Sequence, residues 1–153
     1  MLRHVFAFVF VAALSRAAVT RVEVTERADV PVDGYERLAG KVYFAVDPNL
    51  RANHGIVDID LAPKNAAGMV EFSADLLVLR PKDPAKSNGT AFLEIANRGT
   101  PVAWTAINVG AARGMRTAQD FGDRFMLDQG FTMVWVGWQF DVTARRTSSC
   151  MLR

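Results

Sequence analysis

The amino-acid sequence predicts an α/β fold in which an antiparallel β lead-in is followed by one β-α-β unit. Apolar and polar residues alternate with a period of two through the first half of the chain, which is typical of antiparallel strands with one wet face. Two later runs, 91–96 and 131–136, are almost continuously apolar and indicate parallel strands buried on both faces. Segment 117–130 between them has helical spacing, so a right-handed crossover helix should connect the two strands.

Four alternating stretches predict the strands of the lead-in. Turn-forming sequences such as Asp33-Gly34 separate them. Asp58 and Asp60 share one face of the third predicted strand, opposite its apolar residues, so we interpret them as solvent-facing rather than as a catalytic pair. The apolar residues of the four stretches are Val22 and Val24; Val42, Phe44 and Val46; Val57, Ile59 and Leu61; and Val70, Phe72, Ala74, Leu76 and Val78.

The predicted β-α-β unit begins with the strand Ala91–Ala96. Thr117, with Asp120 three residues later, has the pattern of a helix N-cap, and Gly130 has the position of a C-terminal glycine. Phe131–Val136 is rich in β-branched and aromatic residues, and it is long enough for a strand but too short for a helix. The apolar residues at helical spacing between the two strands are Ala118, Phe121, Phe125 and Met126.

Composition limits the classes of function. With 153 residues, half of them hydrophobic, the chain is long enough for one globular domain. Its formal net charge is only +2, and its basic residues form no stripe, so the sequence predicts no nucleic-acid binding. The single cysteine, Cys150, excludes an internal disulfide, and no zinc-ligand spacing occurs. We therefore expect neither a cofactor nor a metal.

The first 17 residues have the order of a secretory signal peptide. Met1-Leu-Arg-His4 is a basic start, Val5–Leu14 is an uninterrupted apolar run, and Ser15-Arg-Ala17 offers small residues for cleavage. The apolar run is about half as long as a transmembrane helix requires, so no stable membrane span is expected. The pattern predicts a secreted or periplasmic protein, and a buried N-terminal helix is the alternative.

The last residues differ from the rest of the chain. Segment 143–153 is basic and polar and shows neither strand nor helix periodicity, which is typical of a disordered tail. A frameshifted or truncated gene product would explain this composition, and a C-terminal tail with a role of its own is the alternative. The sequence therefore divides into a leader, 1–17, a folded part, 18–142, and this tail.

Several longer blocks resemble a family of large bacterial proteins described as α/β-hydrolase domain-containing. The blocks occur in family order and cover roughly residues 20–142. The resemblance implies an incomplete α/β-hydrolase-like core, and hydrolysis of carboxylic esters or related acyl bonds by a serine nucleophile without a metal. The blocks are 34–48 (GYERLAGKVYFAVDP), 56–68 (IVDIDLAPKNAAG), 70–75 (VEFSAD), 97–99 (NRG) and 130–139 (GFTMVWVGWQ).

The resemblance assigns a role to the loop after the strand 91–96. In such enzymes this loop supplies a backbone N–H to the oxyanion hole, and Asn97, Arg98 and Gly99 occupy that place here. A tight turn that requires Gly99 is the simpler alternative. Glu94, in an otherwise apolar strand, needs a partner if it is buried, and Arg98 is a nearby candidate. We interpret Trp135 and Trp138 as core aromatic residues.

The residues needed for catalysis are missing from this chain. An α/β-hydrolase uses a serine within Gly-x-Ser-x-Gly, followed by an acid and then a histidine. No such motif occurs, and no histidine follows His54, which we interpret as a surface residue of a polar loop. The sequence thus predicts no catalytic residue of its own.

Two hypotheses remain from the sequence. The chain is either the N-terminal portion of a secreted hydrolase-like protein or a secreted β-rich interaction module without catalysis. Both predict that a missing C-terminal portion or an oligomer partner covers the strand Phe131–Val136, since exposed apolar strands promote aggregation.

Overall fold

A computed structural model describes residues 17–96, 101–109 and 115–137 of the chain. These ranges form a five-stranded sheet and two short α-helices, α1 (Val102–Asn108) and α2 (Phe125–Asp128). The sheet order is β1-β2-β3-β5-β4, and the strands are β1 (Ala17–Asp29), β2 (Tyr35–Val46), β3 (Val70–Pro81), β4 (Ala91–Ala96) and β5 (Thr132–Gly137).

The predicted α/β fold with a β-α-β unit is wrong, because the described chain is mostly β. The sheet is mixed: β5 is antiparallel to β3 and parallel to β4. Both predicted apolar runs, in β4 and β5, do form strands. The connection between them, however, contains a seven-residue helix and a four-residue helix instead of one crossover helix.

The predicted helix at 117–130 is broken in the middle. Only a 3-10 turn, Ala118–Phe121, and the single turn of α2 form there. Gly122 and Arg124 have φ angles of 53° and 63°, and the α-helix cannot continue through this left-handed backbone. Asn108 of α1 stabilises the break, since its backbone carbonyl accepts a hydrogen bond from the Asp123 amide.

The beginning and the end of that segment agree with the prediction. The Asp120 carboxylate accepts a hydrogen bond from the Thr117 amide at 2.9 Å, as in a capping box. Gly130 has a φ of 76°, and its amide donates to the Leu127 carbonyl. A Cβ at Gly130 would lie 2.5 Å from the Lys86 carbonyl oxygen. Both the positive φ and this close approach therefore require glycine here.

The antiparallel strands of the lead-in are confirmed in β1, β2 and β3. Contacts between Thr20 and Tyr43 and between Arg27 and Glu36 show that β1 and β2 run in opposite directions. The turn between them contains Gly34, with a φ of 81°, as the Asp33-Gly34 pair predicted.

The third predicted strand of the lead-in does not exist. Residues 59–61 form a 3-10 turn, and Asp58 before it has a φ of 60°. Val57 and Leu61 are 85% and 82% exposed, so the alternation of apolar residues had no sheet face to bury. Asp58 and Asp60 are exposed, as predicted.

The described chain divides into two compact units. Of the described residues, 17–18 and 45–71 form the smaller unit, and 19–44, 72–96, 101–109 and 115–137 form the larger unit. The hydrophobic core cluster lies in the larger unit and covers one face of the sheet. Its buried residues are Val32, Tyr35, Ala39, Leu77, Leu79, Trp104, Met115, Phe121, Met126, Leu127, Met133 and Trp135.

Strand β5 lies between β3 and β4 but buries only one face completely. Met133 and Trp135 point into the core cluster, whereas Val134 and Val136 on the opposite face are half-buried. The prediction that this apolar run buries both faces is therefore wrong for the described part of the chain.

Candidate functional site

The predicted oxyanion-loop residues Asn97, Arg98 and Gly99 lie outside the described residues, as does Trp138. The structure does describe both sides of that loop. Strand β4 ends at Ala96, and α1 begins at Val102 after Pro101.

Glu94 of β4 connects three elements beside this loop. One carboxylate oxygen accepts a hydrogen bond from the Trp135 indole N–H of β5, and the other accepts from the Ala103 amide of α1, each at 2.9 Å. The predicted partner Arg98 lies outside the described residues. These two bonds satisfy the half-buried carboxylate and fix the start of α1 against the sheet.

Trp135 is a core aromatic residue, as predicted. It is 1% exposed, and its ring packs edge-to-face on Trp104 with centroids 5.6 Å apart. Trp104 packs in the same way on Phe121 and donates its indole N–H to the Asp120 carbonyl. The geometry indicates a rigid core beneath the sheet rather than a platform for substrate.

The opposite face of β3, β5 and β4 is apolar, and within 17–96, 101–109 and 115–137 no helix packs on it. Alternation and strand register place three pairs of aliphatic side chains side by side on this surface, here called the open face. Both described α-helices lie on the other face, where they bury Trp104, Met126 and Leu127. The open face consists of Leu76 and Val78 of β3, Val134 and Val136 of β5, and Leu93 and Ile95 of β4.

Exposure is greatest at the β4 side of the open face. Leu93 and Ile95 are 58% and 54% exposed. Strand β4 is also one of the two edge strands of the described sheet and contains neither lysine nor proline. Natural sheets usually protect such an edge, so this surface has the composition of an interface.

A charged cluster borders the open face at the side away from β4. Glu36 of β2 is buried and forms ion pairs with Arg27 of β1 and Arg80 of β3. Arg80 lies two residues after Val78 and therefore on the same face. Burial acts to raise the pKa of Glu36, but hydrogen bonds from Arg27 and Arg80 outweigh it, and the pKa is below its ordinary value.

A second ionic cluster lies on the core side of β1 and β2. The Glu26 carboxylate is bound by Arg37, which is buried, and by Arg116. Hydrogen bonds from Arg116 and then Arg37 lower the pKa of Glu26. A buried arginine paired with a carboxylate stabilises one packing of the strands, and we assign this cluster a structural role.

A small cleft lies beside Tyr35 in the larger unit. Its volume is about 240 Å³, and Arg124, Asp128 and Lys86 are among the residues that line it. The Tyr35 hydroxyl donates to the backbone carbonyls of Leu127 and Phe131, and Arg124 pairs with Asp128 at 3.1 Å. Tyr35, Arg124 and Asp128 are therefore already occupied by contacts within the fold, and we assign them a structural role.

The described residues contain no cluster of metal ligands. Within 17–96, 101–109 and 115–137, no three histidine, cysteine or acidic side chains come together as metal ligands. His54 is exposed, and its ring lies 3.3 Å from the Asn49 carbonyl oxygen. Ser87 accepts a hydrogen bond from the Gly89 amide within its loop.

Comparisons with known proteins give no assignment: no protein family, no curated protein and no solved structure matches this chain. In the described ranges, no helix has the length and apolar character required to cross a membrane.

The sequence indicated part of this site. The apolar runs of β4 and β5 and the stripe in β3 predicted aliphatic side chains that need cover. The sequence did not predict the Glu36 cluster, because its three members come from three different strands. The available signal was a carboxylate in β2 with arginines in the neighbouring strands, which becomes informative only when the strand pairing is known.

Proposed function

We propose that this chain is the non-catalytic N-terminal part of a secreted hydrolase-like protein, and that further polypeptide packs on its open face. The open face carries the proposal. Six aliphatic side chains in three adjacent strands form one continuous apolar surface, while the reverse side of the same strands has a packed core. Apolar surfaces of this kind on soluble proteins usually mark interfaces.

Two features of the sequence support the hydrolase-like part of the proposal. The blocks quoted above resemble α/β-hydrolase domain-containing proteins over most of the chain. The chain also lacks Gly-x-Ser-x-Gly and any histidine after His54, so the nucleophile and base would come from the further polypeptide. In that assembly the loop 97–100 contributes oxyanion donors and Glu94 fixes the start of α1.

The second candidate function is a self-contained β-rich interaction module. The observation that favours it is the core cluster of the larger unit, in which Leu77, Leu79 and Met133 are completely buried. A sheet with its own core can fold without help and present the open face to another protein.

The experiment that tests the proposal measures association of the purified full chain by sedimentation and exposure of apolar surface by dye fluorescence. We expect association and dye binding, and both should decrease when Leu93 and Ile95 are replaced by lysine. The control replaces Val22 and Val24 of β1 by lysine, because these valines are equally exposed but lie outside the open face. A monomeric chain without dye binding would contradict the proposal.

Reading the encoding DNA beyond the Trp135 codon in all three frames separates the two candidates. A downstream frame with Gly-x-Ser-x-Gly and a later histidine supports the hydrolase-like protein. If every frame closes soon after Arg153, the interaction module becomes the better explanation.

A further inference from the structure

The open face is wide enough to bind one α-helix. Neighbouring strands lie about 4.8 Å apart, so the outer two of its three strands are about 10 Å apart, which is close to the diameter of a helix with its side chains. Helices are the usual cover for a sheet face that contains a parallel pair such as β4 and β5.

The two borders of the open face, one at Arg27 and Arg80 and the other at β4, differ in charge. Arg27 and Arg80 have side chains that are 65% and 46% exposed, whereas the carboxylate between them, Glu36, is 4% exposed. Two accessible guanidinium groups with one buried carboxylate leave a net positive border. On the opposite border, the exposed residues of β4 are Ala91, Leu93 and Ile95, which carry no charge.

The charge of the two terminal segments of this chain is not complementary to the Arg27–Arg80 border. The leader 1–17 contains Arg3 and Arg16, and the tail 143–153 contains three arginines, while neither segment contains an acidic residue. Their charge has the same sign as the Arg27–Arg80 border, so both would be repelled. The occupant needs acidic residues on one side only.

We propose that the open face binds an amphipathic helix of the further polypeptide, whose apolar stripe packs on β3, β5 and β4 and whose acidic side lies against Arg80 and Arg27. This inference rests on the proposed function and adds the chemistry of the occupant. Carboxylates on the helix would form charge-assisted hydrogen bonds with guanidinium groups that Glu36 only partly neutralises.

The test uses the full chain and two synthetic helical peptides with the same apolar stripe. One peptide has glutamates along one side of the stripe, and the other has lysines at the same positions. Binding is measured by fluorescence anisotropy of the labelled peptides. We expect the glutamate peptide to bind roughly tenfold more tightly at low salt, and the difference to shrink as added salt screens the charges.

Four variants test whether the preference for the glutamate peptide comes from the Arg27–Arg80 border. Arg80→Gln should reduce the preference for the glutamate peptide, and Arg80→Lys should largely retain it. Arg124→Gln is the matched control, because it removes one exposed arginine at the N-cap of α2, on the other side of the sheet. Lysine at positions 93 and 95 should abolish binding of both peptides. Circular dichroism of each variant confirms that it is folded.

The outcomes separate this inference from the proposed function. Equal binding of both peptides, or loss of the preference in Arg124→Gln, overturns the acidic helix while association through the open face still supports the proposed function. If the glutamate peptide fails to dissociate self-associated chains, a second copy occupies the open face, and the inference of an acidic helix is overturned. If neither peptide binds and the chain is monomeric without dye binding, both proposals fail.

Discussion

Tyr35 shows how one buried hydroxyl holds two distant segments together. It joins β2 to the segment before β5 by donating to the carbonyls of Leu127 at 3.0 Å and Phe131 at 2.9 Å. Burial, followed by the negative charge of Asp128, raises the pKa of Tyr35 from 10.0 to about 12. The folded state therefore favours the neutral phenol.

Replacing Tyr35 by phenylalanine should lower the free energy of unfolding by about 0.5–1.5 kcal/mol, because the Leu127 and Phe131 carbonyls lose the hydroxyl hydrogen that they share, while the Gly130 amide still donates to Leu127. The folded pKa is raised, so the contribution of Tyr35 is complete below about pH 10 and is lost as the pH rises through about 12. Denaturant titrations between these pH values should show that the free energy of unfolding decreases less steeply with pH in the variant than in the original protein. Tyr43→Phe is the control, and a flatter decline there instead would contradict this assignment.

Glu94→Gln should also destabilise the larger unit by about 1–3 kcal/mol, since an amide can accept from only one of the two donors that meet the carboxylate. The denaturation midpoint and Trp135 fluorescence measure the change. Trp135→Phe supplies the matching half of a double-mutant cycle, and the two substitutions should be less than additive. Full additivity would show that the Glu94–Trp135 bond contributes nothing.

Among the elements, the pairing of β1 with β2 depends on one glycine. A Cβ at Gly40 would lie 1.8 Å from the backbone carbonyl oxygen of Glu23, which no side-chain movement can relieve. We expect Gly40→Ala to cost at least 2 kcal/mol of unfolding free energy, on the order of other overpacked sites. Thermal and chemical denaturation measure this cost.

Gly55→Ala is the control for that substitution. No atom lies within 4 Å of a Cβ at Gly55, and its φ lies outside the left-handed region. Its effect should therefore be close to neutral, or slightly stabilising through the unfolded chain. Equal effects of the two substitutions would mean that β1 does not approach β2 as closely as the structure has it.

For the whole molecule, the missing triad predicts a measurable absence of activity. The purified chain should not hydrolyse p-nitrophenyl esters above the rate in buffer, because it supplies at most oxyanion donors and no nucleophile–base pair. A protein of the same preparation with an unrelated fold is the control for contaminating esterase. Hydrolysis that a serine-directed inhibitor abolishes, and that co-purifies with the chain, would contradict the proposed function.

The sequence predicted the strands better than the helix. Period-two alternation located strands in β1, β2 and β3, since each of these stretches has a sheet neighbour. The alternation did not identify the packed face, because Val22 and Val24 of β1 are exposed and Leu77 and Leu79, rather than Leu76 and Val78, enter the core from β3. The same pattern failed at 57–61, where residues 59–61 form a 3-10 turn. The helical spacing at 117–130 failed because Phe121 enters the core and Asn108 binds the backbone at Asp123, and both contacts are non-local.

The sequence by itself determined the apolar strands β4 and β5, the turns at Asp33-Gly34 and Gly130, and the absence of a Gly-x-Ser-x-Gly motif, because each depends on residue type and local spacing. Only the tertiary structure decided that the fold is mostly β, that one face of β3, β5 and β4 is packed and the other open, and that Arg27, Glu36 and Arg80 meet at its border. Those features depend on which strands become neighbours, and strand pairing joins residues far apart in the chain whose contacts no local pattern encodes.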